Sequence, residues 1–206
     1  GTASLNGVIS PDVVTLNGTP VHTFAQVSVG ADIAIMTTGY VLGGADADNY
    51  SLTPPSLSAD ITPAPLTVTA NHDNKIYDGL PYTGGNGVTY DGFVNGEGAE
   101  VLAGTLSYGG SAQGAIGTGI YSIIPSGLSA ANYSLGFENG SLVVAPATLS
   151  VVADNAIRAF GQANPLFTGQ LTGVQPGDDI TAIYSSPATP ASPVGTYAIN
   201  PALQDP

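Results

Sequence analysis

The sequence predicts an all-β chain of small tandem modules, sandwich-like or β-grasp-like, with at most a short helix in each. Three observations predict it. Segments recur at a fixed offset of 83 residues, apolar and polar residues alternate in short runs, and turn formers punctuate those runs, with 28 Gly and 16 Pro in 206 residues. The straight-chain residues that favour helices are scarce: the chain has one Met and two Lys plus Arg.

The repeat is carried by several matches. Asn49-Tyr50-Ser51-Leu52 returns as Asn132-Tyr133-Ser134-Leu135, Pro63-Ala64 as Pro146-Ala147, and Leu66-Thr67-Val68 as Leu149-Ser150-Val151, each 83 residues on. An apolar-x-Gly-apolar unit precedes an acid at one spacing three times. Leu5-Asn6-Gly7-Val8 leads to Asp12, Tyr90-Asp91-Gly92-Phe93 to Glu97, and Leu171-Thr172-Gly173-Val174 to Asp178. Gly117-Thr118-Gly119-Ile120-Tyr121 is answered by Gly195-Thr196-Tyr197. Boundaries at the Pro-Ala pairs make 1–63 the later part of one module, 64–147 a complete module and 148–206 the first part of a third. The chain reads as a window on a longer array. Proline fixes φ, so the junctions are stiff and the modules are expected to form a semi-rigid rod.

Within the complete module, Leu66–Ala70, Ile120–Ile123 and Tyr133–Leu135 alternate as half-buried strands do. Asn139-Gly140 predicts a hairpin between 133–137 and 141–144. Only 96–103 offers a turn or two of helix. Tyr77, Tyr82, Tyr90, Phe93, Tyr121 and Tyr133 are expected to supply much of the core, because an aromatic ring buries more area than Ala or Val.

Charge narrows the function. The formal net charge is −13, which argues against nucleic acid and against an anionic membrane surface. The chain has no Cys, hence no disulfide or thiol chemistry, and no apolar run long enough to span a membrane. Metal cations are the partners that an acidic surface attracts. Asp46 and Asp48, in Asp46-Ala47-Asp48-Asn49, are the candidate calcium ligands, since oxygen donors at alternate positions suit that ion. Their counterparts are Ser129 and Ala131, so an acidic turn is the plainer reading. His22 and His72 are not repeated at the equivalent module positions and have no neighbouring His or Cys, so spacing proposes no zinc site or triad.

Lys75-Ile76-Tyr77-Asp78-Gly79 gathers reactive side chains. Its counterpart 83 residues on is Arg158-Ala159-Phe160-Gly161-Gln162, which keeps cation and ring but loses the phenol hydroxyl and the acid. A role common to both modules is therefore structural: a packed aromatic beside a cation, with Glu97 or Asp178 as the cation's partner. An isopeptide crosslink is open to Lys75 but not to Arg158. Lys75, Tyr77, Arg158 and Phe160, with Asn49, Tyr50, Asn132 and Tyr133, form the structural signature. No residues are assigned a catalytic role. If the repeats hold a carbohydrate, Tyr82 and Tyr90, with Tyr184, are the aromatic contacts.

The Asn-Tyr-Ser-Leu strand before a Pro-Ala junction, followed by Lys-x-Tyr-Asp-Gly, resembles the YDG-type repeat of large bacterial exoproteins. The third module, with Ala159–Pro165 and Pro193–Tyr197, is similar to the related MBG (YGX-type) repeat, Phe160 replacing the usual Tyr. The resemblance covers nearly the whole chain. It implies a non-enzymatic stalk segment of a filamentous-haemagglutinin-like adhesin, extracellular or on the bacterial outer surface, supporting adhesion and biofilm matrix attachment. The alternative is a module that itself binds exopolysaccharide or host glycan. The expected partners are neighbouring repeats, such a glycan, and other copies through strand-edge pairing.

Overall fold

The computed structural model describes residues 3–205, and among them nearly all regular structure is strand, with two 3-10 turns and no α-helix. The chain divides into two units, one of Gly1–Leu66, Gly92–Ala103 and Ser129–Gly136, the other of Thr67–Asp91, Gly104–Leu128 and Phe137–Pro206.

The first module comprises β1 (Thr15–Asn17), β2 (Val21–Phe24), β3 (Gly30–Thr38), β4 (Val41–Gly43), a 3-10 turn at Ala47–Asn49, and β5 (Leu57–Ile61). Strands β2-β3-β5 form an antiparallel sheet, and β1 pairs with β4. Strands β1 and β2 make one arm and β3 and β4 the other arm of one long hairpin, interrupted at Gly18 and Gly39. Both have positive φ, and a Cβ on Gly18 would lie 2.1 Å from the Gly39 carbonyl oxygen. Only glycine permits that approach.

The complete module comprises β6 (Ala64–Ala70), β7 (Asp73–Ile76), β8 (Val88–Asp91), a 3-10 turn at Ala99–Val101, β9 (Ala103–Gly109), β10 (Gly119–Ser129), β11 (Tyr133–Glu138) and β12 (Gly140–Ala145). One sheet has the order β7-β12-β10-β9 and the other β11-β6-β8. Strand β12 runs antiparallel to β10 and parallel to β7. Gly104 and Gly127 repeat the glycine crossing of the first module. The third module has β13 (Ser150–Ala153) paired with β14 (Gly169–Thr172), and β15 (Thr181–Ser185) paired with β16 (Asn200–Gln204). By sequence offset these match β6, β8, β9 and β10.

Two expectations are corrected. Asn139-Gly140 does not close a hairpin: β11 and β12 are consecutive in the chain but lie in different sheets. A single residue separates them, too few for a two-residue hairpin loop, so the chain crosses between layers. Gly140 makes the crossing possible, because a Cβ there would stand 2.6 Å from the Asn71 carbonyl oxygen. The core, likewise, is not chiefly aromatic. In the second unit Ala70 from one sheet meets Ile123, Leu142 and Val144 from the other, with Ala112 and Ala115, and Tyr77, Tyr82, Tyr108 and Tyr121 pack half-buried around this cluster. Aliphatic side chains fill the centre because a tyrosine there would strand its hydroxyl. Phe160 is 66% exposed, so the packed ring expected of the signature is not kept in the third module.

Candidate functional site

The three Gly-to-acid segments fold into one device. Gly7, Gly92 and Gly173 all have positive φ, at 90°, 116° and 95°. At Gly92 and Gly173 the chain passes under the module's opening strand: a Cβ would lie 2.5 Å from the Pro65 carbonyl oxygen and 2.2 Å from that of Thr148. A four-residue turn follows each time, closed by Asp12 N–H to Ile9 O (2.8 Å), Glu97 N–H to Val94 O (3.0 Å) and Asp178 N–H to Gln175 O (3.2 Å). Different residues shape the three turns. The first holds a cis Ser10–Pro11 peptide, the second has Asn95 and Gly96 at positive φ, and the third is Pro176-Gly177.

A tyrosine hydroxyl donates to each carboxylate. Tyr50 bonds Asp12 at 2.8 Å, Tyr133 bonds Glu97 at 2.5 Å and Tyr77 bonds Asp178 at 2.5 Å. In the first two the phenol oxygen also accepts a backbone N–H, from Ile9 at 2.9 Å and from Val94 at 3.2 Å. Phe93 meets the Tyr133 ring edge-on, 5.6 Å between centroids. These contacts reveal the role of the signature Tyr50 and Tyr133: each clasps the turn that ends its module's Gly unit.

The clasps hold the phenols protonated. A hydrogen bond to Asp178 raises the pKa of Tyr77, aided by burial, and one to Glu97 does the same for Tyr133 against the Val94 N–H. At Tyr50 the Ile9 N–H favours the phenolate, but the Asp12 bond, burial and the charges of Asp12 and Asp46 together outweigh it. Tyr82 is pushed up to about 12, by burial first and then by its 2.8 Å bond to Asp73. Folded phenols that titrate above the unfolded value of about 10 bind protons more tightly than the open chain. Their contribution to stability is intact below pH 10 and is lost as pH rises through the raised values. We expect the thermal midpoint to fall with increasing pH above 10, tracked by circular dichroism alongside tyrosinate absorbance. The fall should shrink in a Tyr50→Phe/Tyr77→Phe/Tyr133→Phe variant. An equal fall in that variant would show that the clasps are not responsible.

The two cations do not use these acids. Lys75 Nζ pairs with Asp78 at 2.8 Å and donates to the Leu80 carbonyl, while Asp78 also accepts the Leu80 N–H at 2.9 Å. Lys75 is the first cause of the lowered Asp78 pKa. Arg158 Nε donates to Asn164 Oδ1 at 2.8 Å, and its terminal nitrogens reach the carbonyls of Ala159, Gln162 and Thr189. The expected partnership with Glu97 or Asp178 is thus corrected. Each cation folds its own loop over carbonyl groups, and the acids go to tyrosines of lower desolvation cost.

The remaining signature and candidate residues fall in separate places. Asn132 Oδ1 accepts the Val29 N–H at 3.1 Å and its carbonyl accepts the Ala64 N–H at 3.0 Å, so it ties the first module's β-strand loop to the linker. Asn49 closes the 3-10 turn through its backbone N–H to Asp46 O at 3.1 Å. Asp46 accepts the Val13 N–H at 2.8 Å, and Asp48 is exposed. Among the described residues no group of three or more His, Asp or Glu is assembled for a metal. His22 Nδ1 faces the Thr37 hydroxyl at 2.9 Å, and His72 Nδ1 faces that of Ser141 at 2.8 Å. Tyr82 has its ring on the core and its hydroxyl on Asp73, and Tyr90 is half-buried in β8 opposite Val68. Tyr184 lies with its ring 2.4 Å from where a Gly169 Cβ would be.

Sequence reasoning missed two repeated devices. Tyr121 donates to the Gly117 carbonyl at 2.8 Å and Tyr197 to that of Pro193 at 2.9 Å, each four residues back. A glycine two residues before each tyrosine, Gly119 and Gly195, was the available signal. The glycine crossings were signalled by Gly18-Thr19 and Gly104-Thr105.

The family model described as MBG domain (YGX type) matches residues 66–143 and 149–204. The chain belongs to the MBG (YGX type) family. The YDG domain model matches residues 1–57. The Lys75–Gly79 stretch, whose letters resemble the YDG type, therefore lies inside an MBG (YGX type) match. No curated protein and no solved structure matches the chain. As an MBG-family chain with a YDG segment, it is a β-rich protein of tandem repeats, and within it a tyrosine–carboxylate clasp occurs in both the YDG-matched and the MBG-matched residues.

Proposed function

We propose that this MBG-family chain is a structural stalk segment of a large bacterial surface or secreted adhesin, carrying load and supplying reach to a binding region elsewhere. The single observation that supports it is how the signature side chains are spent. Tyr50, Tyr77, Tyr133, Lys75, Arg158 and Asn132 are all bonded to the chain's own turns and carbonyls. Groups committed to internal clasps resist opening and offer little to a ligand. The family resemblance supports an extracellular setting and a non-enzymatic role.

Two measurements test the reading. Pulled at its ends within an array, a module of 83 residues should unfold as one event and release ~280 Å of chain. Purified protein should show no saturable binding to a panel of exopolysaccharides and host glycans, with or without calcium. Saturable binding abolished by Tyr82→Ala or Tyr90→Ala would replace the stalk with a glycan-binding module.

A further inference from the structure

The Asn-Tyr pair of the complete module faces two ways. Tyr133 donates to Glu97 of its own module. Asn132 reaches the module before it: its Oδ1 accepts the Val29 N–H at 3.1 Å, 103 residues away along the chain. The Asn132 carbonyl accepts the Ala64 N–H, in the linker, at 3.0 Å. Three segments therefore meet at one residue: the start of β3, the Pro63-Ala64-Pro65 linker and the turn between β10 and β11.

Local chemistry prepares each segment. Pro63 and Pro65 carry no N–H, so Ala64 holds the one amide of that stretch, and Asn132 takes it. Gly30 lies opposite Ile61, the last residue of β5, which brings Val29 beside the linker. A bulge between Gly30 and Ile33 then interrupts the ladder, with Asp32 at a φ of +50° and its N–H given to Asp60 Oδ1 at 2.9 Å. Val29 precedes β3, outside that ladder, and Asn132 supplies the acceptor for its N–H. Acceptor and donor positions both recur. Asn49 stands 83 positions before Asn132, and in the complete module Gly119 lies opposite Val144 as Gly30 lies opposite Ile61, 83 positions earlier.

We propose that Asn132 is an inter-repeat joint: a fixed acceptor on one repeat that captures the amide before β3 of the preceding repeat and holds the two together around the linker. Modules joined by a linker move relative to one another unless an interface holds them. The prolines narrow the paths open to the linker, and the Asn132 bonds select one of them. The adjacent residues thus divide the work. Tyr133 closes its own module, and Asn132 closes the joint to the one before. The stiffness that this lends a stalk rests on the stalk reading, whereas the joint itself does not.

The chain has no Cys, so spin labels can be placed through Thr23→Cys and Ala103→Cys, both at exposed positions, one in each module. Double electron–electron resonance should give one narrow distance distribution in the labelled parent chain and in Asn132→Asp, which keeps an acceptor oxygen. Asn132→Leu and Asn132→Ala should broaden it about twofold or more. Amide exchange separates the joint from a general loss of stability. Asn132→Leu should speed exchange at Val29 about tenfold or more and leave Val94, the amide bound by Tyr133, unchanged, and Tyr133→Phe should do the reverse. Equal distance distributions in all four chains, unprotected exchange at Val29 in the parent chain, or loss of both amides together in either variant would each overturn the proposal. None of these readouts involves a glycan or unfolding under force, so the joint and the stalk reading fail separately.

Discussion

Replacing Leu142 with Ala is expected to destabilise the complete module by about 2–5 kcal/mol, the range for truncating a large buried aliphatic side chain. Leu142 is fully buried, and it sits on the one strand that joins β7 to the rest of its sheet. The cluster around it is small and includes three alanines, so few neighbours can collapse into the space left behind. Val143 is the internal comparison. It points to the opposite face of β12 and is partly exposed, so Val143→Ala should cost under about 1 kcal/mol. Denaturant unfolding, comparing midpoints at unchanged slope, separates the two. Similar losses at both positions would mean that β12 contributes through its pairing and not through its inward side chains.

Gly104→Val is the second large effect, expected at about 3 kcal/mol. The φ of +88° is strained for any residue with a side chain, and a Cβ would stand 2.2 Å from the Gly127 carbonyl oxygen. Backbone must move to relieve that contact. Gly114 has a similar φ of +82° but nothing within 4 Å of its Cβ position. Gly114→Ala should therefore cost only the conformational part, about 1–2 kcal/mol. Equal losses at Gly104 and Gly114 would show that the crossing itself contributes nothing.

The all-β class and the 83-residue repeat were legible because both leave marks in letter order: period-two alternation and recurrence at one offset. A structural role for Lys75 and Arg158 was suggested by both cations of the chain falling at one module position. Their partners were not. A carboxylate seen in sequence gives no sign of which donor reaches it, and Tyr50, 38 residues from Asp12, reaches it only once the sheets have formed. The hairpin at Asn139-Gly140 was misread for a related reason. A strong turn signal specifies a reversal of the chain, but whether the next strand joins the same sheet depends on what Gly140 packs against.

The loops folded around the two cations have a consequence for proteolysis. Enzymes that cut after lysine or arginine find two such residues in the chain. Lys75 lies in a strand paired along its length with β12, its ammonium held by Asp78 and a carbonyl. Arg158 has its guanidinium spread over three carbonyl groups of its own loop and the next. A protease must bind the susceptible residue in an extended, accessible form, so cleavage at either place waits for the segment to open. Few basic residues, each tied into the fold, leave a folded repeat that trypsin-like enzymes scarcely recognise as a substrate.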